Sequence, residues 1–158
     1  FLKGFAQAYG FRRISRRNRV ILAGRAQVGL ARGFPREVVI VDADGEPLRD
    51  TVGALRTQII EDLPAGRRFF AGGSTTVRGF QQDRLGVPAV LNADGLSSGG
   101  NGVIILNGEV RTQLGRGLGL VGFIDGGNVF ARASDLALSR VRGAAGLGVR
   151  YQSPLGPL

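Results

Sequence analysis

The chain contains no cysteine, histidine, methionine or tryptophan, and Lys3 is its only lysine. Without Cys there are no disulfides and no thiolate metal sites, and without His or Cys the Cys/His and Ser/His catalytic pairs drop out. No metal centre is expected. The lack of Cys suits an oxidising compartment without fixing one. No run of about 18 uncharged apolar residues occurs, which excludes a transmembrane helix. Phe1 opens on strand-like sequence without a basic n-region and an apolar h-region, so no signal peptide is expected. Ser153-Pro154-Leu155-Gly156-Pro157-Leu158 stops abruptly, and both ends read as cut from something larger.

Glycine is abundant instead, at 27 of 158 residues, beside 43% hydrophobic residues. Each interior glycine costs a helix about 1 kcal/mol relative to alanine, so long helices are disfavoured. No low-complexity repeat accompanies the glycine, so glycine-rich strands fit better than disorder. The length suffices for one domain with a core. The net charge is +9, and all basic residues but Lys3 are arginine. Apart from Arg12-Arg13 and Arg16-Arg17-Arg19 they are scattered, and no aromatic residues interleave them as a stacking platform. No nucleic-acid partner is expected; a solvated lumen or turn face accounts for the charge.

Period-2 alternation marks the strands. From Val20 to Arg32, Val20, Leu22, Gly24, Ala26, Val28 and Leu30 share one face, and Arg25, Gln27 and Gly29 the other. From Gly102 to Leu114, Ile104, Leu106, Val110 and Leu114 oppose Asn107, Glu109, Arg111 and Gln113. That second face is too polar for the core of a small soluble barrel, whereas a water-filled or loop-plugged lumen tolerates it. Gly143 to Gln152 alternates cleanly, and the Pro154–Pro157 segment is expected to end it in a tight turn. Phe1 to Phe11 reads as a strand with Phe5, Tyr9 and Phe11 on one side. Leu118 to Phe130 is apolar on both faces and reads as a strand from its Leu, Val, Phe and Ile content. The fold class is therefore all-β, an antiparallel transmembrane β-barrel fragment of roughly five strands plus one long loop, about 34–101. Within that loop, Asp50 to Asp62 fits either a short helix or a further strand. So long a connection suits the long-loop rim of a membrane barrel.

The loop carries Gly72-Gly73-Ser74-Thr75-Thr76-Val77-Arg78-Gly79-Phe80. A phosphate-cradling loop would need a lysine before Ser/Thr and a helix after it, and both are missing. Arg78 alone reads as a solvated loop residue. Glu109, on the polar face of its strand, and Asp125, late in the next, offer two carboxylates that an arginine fork satisfies in a plane. The plainer readings are a solvated charge for Glu109 and a turn for Asp125-Gly126-Gly127. Paired carboxylates also suit a glycoside hydrolase, but nothing else forms a substrate site, and no enzymatic activity or catalytic residue is expected.

Four motifs occur in order: Val77-Arg78-Gly79-Phe80 after Gly72-Gly73; Gly99-Gly100-Asn101 leading to Glu109-Val110-Arg111; Phe123-Ile124-Asp125-Gly126-Gly127-Asn128-Val129-Phe130; and Gly146-Leu147-Gly148-Val149-Arg150-Tyr151 through Pro154 and Gly156 to Leu158. From about Arg67 onward the chain resembles the C-terminal barrel of the BamA/TamA superfamily of outer-membrane protein assembly factors (the bacterial surface antigen domain). The resemblance implies a partial barrel over residues 1–158, drawn from about sixteen strands in the bacterial outer membrane and preceded elsewhere by POTRA domains. It implies insertion of other outer-membrane proteins without a cofactor. The partners so implied are outer-membrane lipids, unfolded outer-membrane clients, and accessory lipoproteins or an inner-membrane partner. It also implies that Val77, Arg78, Gly79 and Phe80 fold back into the lumen, with Arg78 latched to Glu109 and Asp125. Gly72, Gly73, Gly126, Gly127, Gly146, Gly148, Pro154 and Gly156 are carried as structural positions. The alternatives are the translocation pore of a two-partner secretion system and a soluble β-rich binding module.

Overall fold

A computed structural model describes residues 1–15, 19–115, 117–153 and 156–157. The strands follow the alternation: β1 Leu2–Ser15, β2 Val20–Arg32, β5 Gly102–Gly115, β6 Leu118–Phe130 and β7 Arg142–Ser153, with the two-residue β8 Gly156–Pro157 after them. They form one antiparallel sheet in the order β1-β2-β5-β6-β7-β8, and among the described residues β1 and β8 do not pair with each other. Short β3, Arg36–Val39, and β4, Thr57–Ile60, make a separate antiparallel ribbon inside the long connection. The segment Asp50 to Asp62 thus supplies a strand rather than a helix.

Pro154 lies outside the described residues, as do Arg16 and Arg17 of the basic connection. The expectation that proline ends the last ladder needs one amendment. Gln152 pairs with Pro157 and Ser153 with Gly156, so the chain turns and returns for two residues. Pro157 has no N–H to donate, which a strand at the edge of a sheet tolerates.

Register separates the two faces of the sheet. One face carries Leu22, Val28, Leu106, Val110, Leu120, Ile124, Leu147 and Val149, all exposed. The opposite face is covered toward one end by the connection between β2 and β5. There Leu63, Phe69, Ala71, Val77, Leu85, Val87 and Val90 of the connection pack on Ala31, Val103, Ile105, Val129 and Phe130 of the strands. This core helps to explain why β6 is apolar on both sides: Leu120 and Ile124 point to the open face, while Val129 is buried beneath the connection. A backbone bond joins the two layers, Val87 N–H to Val129 C=O at 2.9 Å, while Phe69 N–H to Gly100 C=O at 2.8 Å ties the connection to itself. The connections on this rim, 33–101 and 131–141, are long, whereas few residues separate the strands on the other rim.

Candidate functional site

Register brings the strand carboxylates to one side. Asn107 pairs with Asp125 and Glu109 with Phe123, so Glu109 and Asp125 lie on the covered face as diagonal neighbours on β5 and β6. Asp125 is fully buried, with no exposed side-chain surface, which the weak alternation of β6 did not reveal.

The loop reaches this pair by a tight fold. Thr76 Oγ accepts from Gly72 N–H and donates to Gly72 C=O, both at 2.8 Å, while Gly73 N–H donates to Phe80 C=O at 2.9 Å. The resulting turn holds Val77 buried in the core and aims Arg78 at the wall. Val77 sits against Gly127, where an added Cβ would fall 2.8 Å from its Cγ2 and 2.7 Å from Ile104 C=O. Gly79 has φ +89°, a left-handed conformation that favours glycine, and its own Cβ would meet that of Ala144 at 2.8 Å.

Each of the four nitrogens of Arg78 donates a hydrogen bond. Its Nε and Nη2 donate to the two oxygens of Asp125 at 2.6 and 2.8 Å, its backbone N–H donates to Asp125 Oδ2 at 3.0 Å, and Nη1 donates to Glu109 Oε1. The planar fork thus grips one carboxylate bidentately and a second from its side, a geometry that lysine does not reproduce. Its flat face stacks on the Phe123 ring, 3.8 Å from the centroid. Phe123 in turn lies over Gly146, its register partner, where a Cβ would come within 2.6 Å of the ring. The hydrogen bonds to Asp125 push the Arg78 pKa above its ordinary value, and burial acts in the opposite sense. The guanidinium therefore stays charged. Glu109 is shared: Arg111 Nε donates to its other oxygen at 2.7 Å.

A cavity of about 380 Å³ borders the site, lined in part by Arg25, Ser74, Thr75, Arg78 and Arg111. It accounts for the 26% exposure of the Arg78 side chain while Asp125 remains at 0%. Chemically the arrangement holds a loop. Both carboxylates are bonded to arginines, Asp125 to Arg78 and Glu109 to Arg78 and Arg111, and Glu109 also borders the cavity.

The remaining motif residues divide. Gly72 and Gly73 form the turn at the base of the tip. Gly126 is on the open side of β6, opposite Leu106 and Gly143. A Cβ at Gly148 would meet nothing within 4 Å, so packing does not require glycine there, and Gly156 pairs with Ser153. Phe80 packs against the edge of the core and beneath the Arg142 guanidinium, 4.9 Å from its ring centroid. Sequence reasoning had no place in the site for Arg25, Asn107, Arg111 and Phe123. One available signal was that Glu109 and Asp125 are the only acidic residues in the strands of the six-stranded sheet.

The structure resembles the crystal structure of BamA from Haemophilus ducreyi lacking POTRA domains 1–3, with a TM-score of 0.61 and 17% sequence identity. The match covers 98% of this chain and 30% of that one, so the chain spans under a third of that protein, and the likeness is one of fold. The Omp85 superfamily domain matches residues 1–158, and the chain belongs to that superfamily.

Proposed function

We propose that this chain is part of a bacterial outer-membrane barrel that assembles or inserts other outer-membrane proteins, with its long loop latched to the lumen wall through Arg78. The observation that carries this reading is the Arg78 fork, which closes on Asp125 and Glu109 from a loop that covers the polar face of the sheet. The exposed apolar face of β2, β5, β6 and β7 suits contact with lipid tails, and strands of 12 to 14 residues exceed the roughly 9–11 that a tilted strand needs to cross. Connections of few residues on one rim and long ones on the other fit the usual build of such barrels.

In this reading the site works by holding and not by catalysis. The partners are outer-membrane lipids on the open face and unfolded client barrels, with accessory lipoproteins or an inner-membrane partner elsewhere on the full protein. The test is Arg78→Ala in the full-length gene, with the levels of other barrel proteins in the outer membrane as readout. A fall in those levels is expected, at unchanged abundance of the variant itself. Unchanged client levels would sink the proposal. Loss of one secreted protein, with client barrels intact, would favour the translocation pore of a two-partner secretion system.

A further inference from the structure

The tip of the loop crosses the wall strand by strand. Thr75 C=O accepts from Arg25 Nη2 of β2 at 2.6 Å. Thr76 C=O accepts from Asn107 Nδ2 of β5 at 2.7 Å and, more weakly, from Arg25 Nη2 at 3.4 Å. Arg78 N–H donates to Asp125 of β6 at 3.0 Å, and Gly79 lies against Ala144 of β7. Arg25, Asn107, Asp125 and Ala144 are successive register partners, so they form one row across four strands. The segment 75–79 lies along that row, and each of the four strands contributes to holding or flanking it.

From this geometry we infer that Arg25 and Asn107 form a second hold on the loop, one that grips its backbone and positions Arg78 independently of the ion pair. The inference rests on the latch reading and extends it. Arg25 Nε donates to Asn107 Oδ1 at 2.9 Å, which fixes the amide with its nitrogen toward Thr76 C=O. An aspartate at 107 would keep the Arg25 contact but turn an oxygen toward that carbonyl, and two acceptors do not bond. Because the grip is on carbonyl oxygens, the exposed Thr75 side chain is irrelevant to it. These contacts on the loop carbonyls do not pass through Arg78, so they persist when its side chain is truncated; Asn107 also bonds Asp125, which leaves Arg25 as the member that does not touch the ion pair.

The experiment is hydrogen exchange by mass spectrometry on the full-length protein in lipid nanodiscs, comparing wild type, Asn107→Asp, Arg25→Ala, Arg78→Ala and Thr75→Ala. Peptides over 74–80 report the loop and peptides over 119–128 report β6. Asn107→Asp and Arg25→Ala are each expected to speed exchange in 74–80 roughly tenfold, the scale of one lost hydrogen bond to a strong donor. Thr75→Ala and the β6 peptides should not change. Asn107→Asp preserves side-chain volume, and heat-modifiable gel migration verifies that each variant is folded. Arg25→Ala decides, because Asn107→Asp also sets a carboxylate beside Asp125: unchanged exchange in Arg25→Ala, with faster exchange in Arg78→Ala, would overturn the second hold and leave the ion pair as the latch. Faster exchange in Arg25→Ala, with Arg78→Ala silent, would support the second hold and refute the ion-pair latch.

Discussion

Truncating Arg78 to alanine removes three side-chain hydrogen bonds to carboxylates and one ring contact while leaving the backbone path open. Asp125 is the group that suffers most, because it is fully buried and would keep only the residue-78 N–H and its Asn107 contact. Breaking a buried ion pair from one side costs about 3–5 kcal/mol, against roughly 0–1 for an exposed pair. The Arg78 side chain is 26% exposed beside a cavity, so water would partly replace it, which places the loss near 3 kcal/mol. Glu109 loses less, since Arg111 remains bonded to it. A loss near 3 kcal/mol raises the unlatched fraction roughly a hundredfold. Chymotrypsin cleavage after Phe80 in the folded full-length protein reads that fraction, because Phe80 is half-buried when the tip is seated. The expected result is cleavage about a hundred times faster in Arg78→Ala than in wild type at low protease. A ratio within about threefold would refute the claim that the ion pair holds the loop.

Other substitutions probe the packing that seats the arginine. Phe123→Leu removes the ring beneath the guanidinium and should weaken seating by about 0.5–2 kcal/mol, seen as faster Phe80 cleavage with strand exchange unchanged. Gly79→Ala forces a side chain into a left-handed backbone and toward Ala144, and should lower the thermal transition of the barrel by several degrees. Gly148→Ala, where the space is open, should not lower it. Leu85→Ala empties a fully buried site between loop and sheet, and should cost about 2–5 kcal/mol by denaturant titration of the full-length protein.

The strands were legible because a sheet with one polar and one apolar face writes a period of two, as Val20–Arg32 and Gly102–Leu114 do. Where a second layer packs on the polar side, that period is erased. β6 looked ambiguous for this reason, with Val129 facing the loop core and Leu120 and Ile124 the open side. Asp125 suffered from the same ambiguity, and only its pairing with Asn107 fixes its face. The Arg78–Glu109 contact could be anticipated from residue type, face and family resemblance together. The Arg25–Asn107 grip could not, because it targets carbonyl oxygens and leaves no mark in the side chains of the segment it holds. The β3–β4 ribbon was half legible: Thr57–Ile60 sits within a segment readable as helix or strand, and its partner Arg36–Val39 lies far upstream in the long connection.

The most direct measurement is a double-mutant cycle between Arg78→Ala and Asp125→Asn, read as unfolding free energy of the full-length protein. Side chains joined by a buried bidentate bond couple, so the two losses should fall short of additivity by about 2 kcal/mol or more. Additivity to within about 0.5 kcal/mol would mean that the two residues act separately, and would contradict the latch.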